Sequence, residues 1–94
     1  MELDDTIAYR LIVSGSVQGV GFRAFAVSSA RRLGVAGTVR NLEDGNVEVI
    51  AEAPNERMKR FIESLKNGNG CSRTDHIEIA AIRPRGYAGF DVAY

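Results

Sequence analysis

The sequence predicts an α+β fold in which two helices cover one face of an antiparallel sheet. Three observations carry this. Strand and helix periodicities follow each other in the order β-α-β-β-α-β, an Asp-Gly turn joins the two middle strands, and each helical stretch has a single apolar stripe. One stripe means one buried side, so both helices must lie on the same sheet face.

Ile7 to Ser14 sets Ile7, Tyr9, Leu11 and Val13 against Ala8, Arg10, Ile12 and Ser14. Both registers are fairly apolar, which predicts a central strand covered on at least one face. The segment Gly15-Ser16-Val17-Gln18-Gly19-Val20-Gly21 follows, dense in glycine. A helix is predicted from about Phe22 to Leu33, because Phe22, Phe25, Ala26, Ser29, Ala30 and Leu33 share one face. Gly34 is its expected C-cap. Thr38 to Leu42 reads as a second strand, and Val47 to Ala53 as a third, joined through Asp44-Gly45. Pro54 is expected to open the second helix near its first turn. Met58, Phe61, Ile62 and Leu65 form its stripe, and Asn67-Gly68 ends it. Asn69 to Asp75 reads as a polar loop. A fourth strand carries Ile77, Ile79 and Ala81 and ends near Pro84, and a short terminal strand is expected from Phe90 to Tyr94. Two β-α-β halves around one hairpin give the ferredoxin-like split, with a short C-terminal strand added.

Composition narrows the function classes. The chain has 94 residues, which predicts a single domain over 1–94. It is 45% hydrophobic and 26% charged, so it is not a disordered chain. Acidic and basic residues balance at 12 each. Such a chain has no broad electrostatic footprint for nucleic acid or an anionic membrane. Any anion it binds must be held by local geometry. The single cysteine, Cys71, excludes an intramolecular disulfide and a cysteine-rich zinc site. The start of the chain is acidic, unlike a signal peptide, and no apolar run approaches the roughly 20 residues that span a bilayer. A cytoplasmic protein without membrane contact is expected.

Gly15 to Arg23 is the first segment with chemical content. Successive backbone N–H groups in a glycine-dense strand-to-helix loop can turn inward, and the helix N-terminus adds its positive dipole end. Arg23 falls in the first helical turn, where the dipole disfavours a cation. A guanidinium there makes most sense with an anion to pair, ideally a phosphate held in a bidentate fork. The alternative is a plain Gly-rich turn with a surface arginine. Gly19-Val20-Gly21-Phe22-Arg23-Ala24 also matches the dinucleotide fingerprint formally. The context excludes it, since the second strand turns straight back through Asp44-Gly45 instead of running parallel. Gly34-Val35-Ala36-Gly37 matches the G-x-x-G of KH domains but lacks basic neighbours on both sides. Asn41 lies near the hairpin, where asparagine is common for turn reasons alone. It gains a functional reading only if the sheet brings it to the anion loop. The single His76 and the scattered carboxylates lack metal-ligand spacing. Cys71 reads as a free thiol, not a nucleophile.

The stretch from Val13 through Arg23 resembles the first signature of the acylphosphatase family at essentially every fixed position. Gly37-Thr38-Val39-Arg40-Asn41, with Gly45 and Val47, resembles the second. The resemblance covers nearly the whole chain, with Thr38 standing where the family usually has an aromatic and Ala53 where it usually has glycine. It implies a ferredoxin-like fold and hydrolysis of acyl phosphates to carboxylate and inorganic phosphate; with no ligand constellation in the sequence, neither metal nor cofactor is expected. It implies that Arg23 holds the substrate phosphate, that the backbone N–H groups of Gln18, Gly19, Val20, Gly21 and Phe22 complete the cradle, and that Asn41 positions the attacking water. The expected partners are the small acyl phosphate and inorganic phosphate as product or inhibitor, with no nucleic acid and no membrane, and a monomer is expected.

The chemistry agrees with these roles. A carboxylate is a good leaving group, so little general-acid help is required. Phosphoryl transfer through a loose transition state asks mainly for positioning and charge stabilisation. One arginine and aligned amides supply that. Asn41 cannot serve as a base, but its amide can donate to and accept from a water. The substrate phosphate is a candidate acceptor for the water's proton. Two other readings compete: the same residues serving carbamoyl phosphate handling in a larger maturation assembly, and a non-catalytic module binding RNA or a small effector. The strands lack the paired aromatics that RNA stacking uses.

Overall fold

A computed structural model describes residues 5–94. The chain forms β1 (Thr6–Ser16), α1 (Phe22–Leu33), β2 (Ala36–Asn41), β3 (Val47–Pro54), α2 (Asn55–Asn67), β4 (Arg73–Ile82) and β5 (Phe90–Val92). All five strands join one sheet in the order β4-β1-β3-β2-β5. The first four strands pair antiparallel, as the ferredoxin-like split requires. The tail strand corrects the expected antiparallel sheet at one edge, because β5 runs parallel to β2. The chain leaves β4 at one edge, crosses the sheet's end and returns at the other edge. The buried carboxylate of Glu52 ties down this crossing segment, accepting the backbone N–H groups of Arg85, Gly86 (3.0 Å) and Tyr87 (3.1 Å).

The register explains the two-layer core. Val49 pairs with Leu11 on β1 and Val39 on β2, and Val39 pairs in turn with Val92. Leu11, Val13, Val39, Val47, Val49, Ala51 and Ala53 pack with Phe22, Ala26 and Ala30 of α1 and Met58, Phe61 and Leu65 of α2 in one cluster. Phe61 meets Phe90 edge-on at 5.7 Å between ring centroids, which fastens β5 to α2. On the other face, buried Glu48 accepts Arg10 Nε at 2.7 Å and Arg40 Nε at 2.8 Å. Of the two departures from the family pattern, Ala53 is buried in the core and Thr38 is half-buried.

Several boundaries differ from expectation for local reasons. β4 begins at Arg73, inside the expected polar loop, since Arg73 and Thr74 pair with Ser16 and Gly15 across a bulge after Ser14. Polar residues on an exposed edge strand show no apolar alternation. β2 starts earlier than expected, at Ala36, and Gly37 lies so close to Ile50 that a Cβ would collide with its carbonyl. Pro54 ends β3 in an extended conformation and stands just outside α2 as its N-cap. Gly34 caps α1 in the left-handed region as expected. The hairpin closes with Leu42 N–H donating to Asn46 O (2.8 Å) and Gly45 N–H to Leu42 O (3.3 Å), a three-residue loop with Gly45 at φ 95°.

Candidate active site

The loop between β1 and α1 turns on two left-handed glycines, Gly19 at φ 76° and Gly21 at φ 77°. A Cβ at Gly19 would meet nothing within 4 Å, so backbone conformation and not space demands glycine there. Gly21 is the N-cap of α1 and makes no side-chain cap bond, and the first turn holds no acidic residue. The first N–H groups of a helix have no intrahelical acceptor. This N-terminus is therefore left open to an external anion.

Arg23, on the first turn of α1, and Asn41, the last residue of β2, line the same cavity of about 270 Å³. The remaining lining is Val17, Gly19, Gly21, Phe22, Ala24, Val92 and Tyr94. The sheet thus brings together the two side chains that sequence could only pair conditionally. Of the residues expected to form the cradle, Gly19, Gly21 and Phe22 line the cavity and Gln18 and Val20 do not. Arg23 is half-buried and joins none of the ion pairs among the described residues, which are Arg10–Glu48, Arg31–Asp91, Arg40–Glu48 and Arg73–Asp75. A half-buried guanidinium beside a helix N-terminus, without a carboxylate, is electrostatically suited to a phosphate. A larger cavity of about 550 Å³ lies on the open sheet face against Arg40, Glu48 and Tyr87. It shares only Tyr94 with the Arg23–Asn41 cavity and contains neither side chain.

Two side chains support the loop through partners that the sequence does not reveal. Gln18 Nε2 donates to the carbonyls of Leu42 (2.8 Å) and Asn46 (2.7 Å), and so joins the loop to the hairpin. Asn69 Nδ2 donates to Val20 O at 2.9 Å, while its Oδ1 accepts Cys71 N–H (2.9 Å) and Ser72 N–H (2.7 Å). The bonds to Leu42, Asn46 and Val20 have no local sequence signal, because these partners lie far along the chain. Cys71 is an exposed free thiol and His76 is exposed on β4. Among the described residues no group of three or more His, Cys, Asp or Glu could hold a metal ion, and no helix is long and apolar enough to cross a membrane.

A family model described as Acylphosphatase matches residues 9–92. The chain is 40% identical over 89 residues to an acylphosphatase of Bacillus subtilis, covering 94% of this chain and 98% of that one. It is 44% identical over 81 residues to an acylphosphatase of Thermus thermophilus, covering 86% and 92%. The crystal structure of the Bacillus subtilis acylphosphatase superposes with a TM-score of 0.90 at 40% identity, over 94% of this chain and 99% of that one. HypF of T. kodakarensis superposes with a TM-score of 0.83 at 36% identity, over 94% of this chain but 12% of HypF.

Proposed function

Because the chain belongs to the acylphosphatase family, an acyl phosphate hydrolase is the premise, and we propose that Asn41 positions the attacking water on a phosphoryl group held by Arg23 and the backbone N–H groups of Gln18 to Phe22. The supporting observation is that Arg23 and Asn41, from different elements, line one small cavity at an uncapped helix N-terminus. The Arg23 fork and the amides bind the dianionic phosphate and stabilise the charge on its oxygens as the bond to the carboxylate loosens. The Asn41 amide accepts from the water and orients its lone pair at phosphorus, in line with the leaving carboxylate. The P–O bond to the acyl group breaks, the P–O bond to water forms, and the water's proton passes to the phosphate.

The acylphosphatases of Bacillus subtilis and Thermus thermophilus are matched over 98% and 92% of their lengths, whereas the similar region is 12% of HypF. That supports acyl phosphate hydrolysis over carbamoyl phosphate handling within a larger assembly. The same reading takes the enzyme as a cytoplasmic monomer that works without metal or cofactor. Full turnover in excess chelator is expected, and loss restored by magnesium would overturn it.

Steady-state kinetics with phosphate as competitive inhibitor separates the two side chains. Arg23→Ala is expected to weaken phosphate binding and cut turnover together, because the phosphate is anionic in ground and transition states alike. Asn41→Ala is expected to cut turnover by on the order of 10²–10⁴-fold and to leave phosphate inhibition nearly unchanged. Arg23→Lys should not rescue, since an ammonium cannot reproduce the planar fork. Near-normal turnover in Asn41→Ala would reduce Asn41 to a hairpin residue.

A further inference from the structure

Asn41 is exposed at the end of β2, and its side chain makes no hydrogen bond among the described residues. Its position is therefore set through its backbone. On one side it is paired with Val47 in the β2–β3 ladder. On the other side Leu42 follows, and Leu42 is where the loop reaches across. Both N–H groups of the Gln18 side-chain amide are spent there, on Leu42 O at 2.8 Å and Asn46 O at 2.7 Å. Each carbonyl already accepts one backbone bond within the hairpin, Leu42 O from Gly45 and Asn46 O from Leu42. Gln18 fills a remaining lone pair on each. Two facing carbonyls demand a donor, so the amide has one orientation only. Gln18 itself precedes Gly19, the first left-handed residue of the loop. Among the described residues it is the one side chain that hydrogen-bonds from the Gly-rich loop to the hairpin.

We infer that Gln18 is a positioning residue for hydrolysis, whose side-chain amide holds the Asn41 end of β2 in register with the phosphate cradle. This rests on the reading of Asn41 given above. The side chain touches neither phosphate nor water. It sets the distance between the group that binds one and the group that directs the other. Misplacement by about 1 Å can cost on the order of 10²-fold in rate while ground-state binding survives. Gln18 should thus matter to turnover and not to phosphate affinity, and only while Asn41 is present.

The test is Gln18→Met, which keeps the length of the side chain and removes both donors, made alone and combined with Asn41→Ala. Thermal melting first confirms that each variant is folded. Should the Met variant not fold, Gln18→Asn, which keeps the amide but falls one methylene short, carries the same expectation. Turnover is expected to fall about 10- to 100-fold, with KM and the phosphate inhibition constant within about twofold of the parent. In the Asn41→Ala background the same change is expected to cost nothing further. Unchanged turnover in folded Gln18→Met overturns the inference. So does a phosphate inhibition constant that rises with the loss of turnover, which would place the damage in the cradle. An equal loss with and without Asn41 overturns it as well. Near-normal turnover in Asn41→Ala alone is a different failure, that of the water-positioning reading beneath it.

Discussion

The side-chain amide of Asn69 donates to the carbonyl of Val20 at 2.9 Å, bracing the glycine-rich loop from the segment between α2 and β4. Its carbonyl oxygen meanwhile accepts two N–H groups of its own turn, from Cys71 and Ser72. Asn69→Ala removes all three bonds at once. Each is worth about 0.5–1.5 kcal/mol net, so a loss of roughly 1.5–4.5 kcal/mol in folding stability is expected. Asn69 thus braces the loop proposed to hold the phosphate. Its removal is expected to raise the phosphate inhibition constant severalfold, where the loss of Asn41 leaves it alone. Denaturant titration and inhibition kinetics check the two halves, and an unaltered inhibition constant would confine Asn69 to its own turn.

Inorganic phosphate is expected to stabilise the fold, since the anion site proposed at the loop and Arg23 exists only in the native chain. At about 100 times its dissociation constant the gain is roughly 2.7 kcal/mol. The comparison is thermal melting in phosphate against chloride at equal ionic strength. An equal shift in Arg23→Ala would place the anion elsewhere.

Glu48 makes stability depend on pH on the acid side. Burial pushes its carboxyl up, but the Arg40 and Arg10 guanidiniums bonded to it together outweigh burial and hold it below the ordinary glutamate value. A carboxylate whose pKa is lower folded than unfolded stabilises the native state above the unfolded value, about 4.3. That contribution is lost as pH falls from there through the folded pKa. Glu48→Gln is expected to be less stable than the parent at pH 7 and to converge with it in acid. Urea midpoints across pH 7 to pH 2 measure this, and a constant gap over the whole range would remove the carboxylate from the explanation.

Gly37 and Gly86 separate close approach from backbone conformation. Gly37, at φ 144°, lies where a Cβ would strike the Ile50 carbonyl, whereas Gly86, at φ 84°, has nothing within 4 Å of such an atom. Gly37→Ala is expected to cost about 3 kcal/mol or more, combining strain with a collision inside the β2–β3 pair. Gly86→Ala is expected to cost only about 1–2 kcal/mol, the left-handed penalty alone. Equal losses in denaturant titrations would mean that β2 moves aside.

What the sequence determined by itself was local. The span of α1 follows from its apolar stripe and its Gly34 cap, which act within a few residues. The order of the first six elements follows in the same way, and the signatures around Arg23 and Asn41 pointed to the chemistry through resemblance to a family. Tertiary structure decided what depends on partners distant in the chain. The parallel pairing of β5 with β2 follows from a crossing that buried Glu52 secures, and no local pattern encodes it. Arg73 and Thr74 join β4 because β1 bulges beside Gly15. Arg23 and Asn41 share a cavity only because the sheet sets the end of β2 beside the start of α1. Gln18 and Asn69 look like ordinary polar loop residues until the carbonyls they serve arrive from elsewhere in the chain. Periodicity and capping act over one or two turns of chain, whereas a hydrogen bond's partner is chosen by the packed fold.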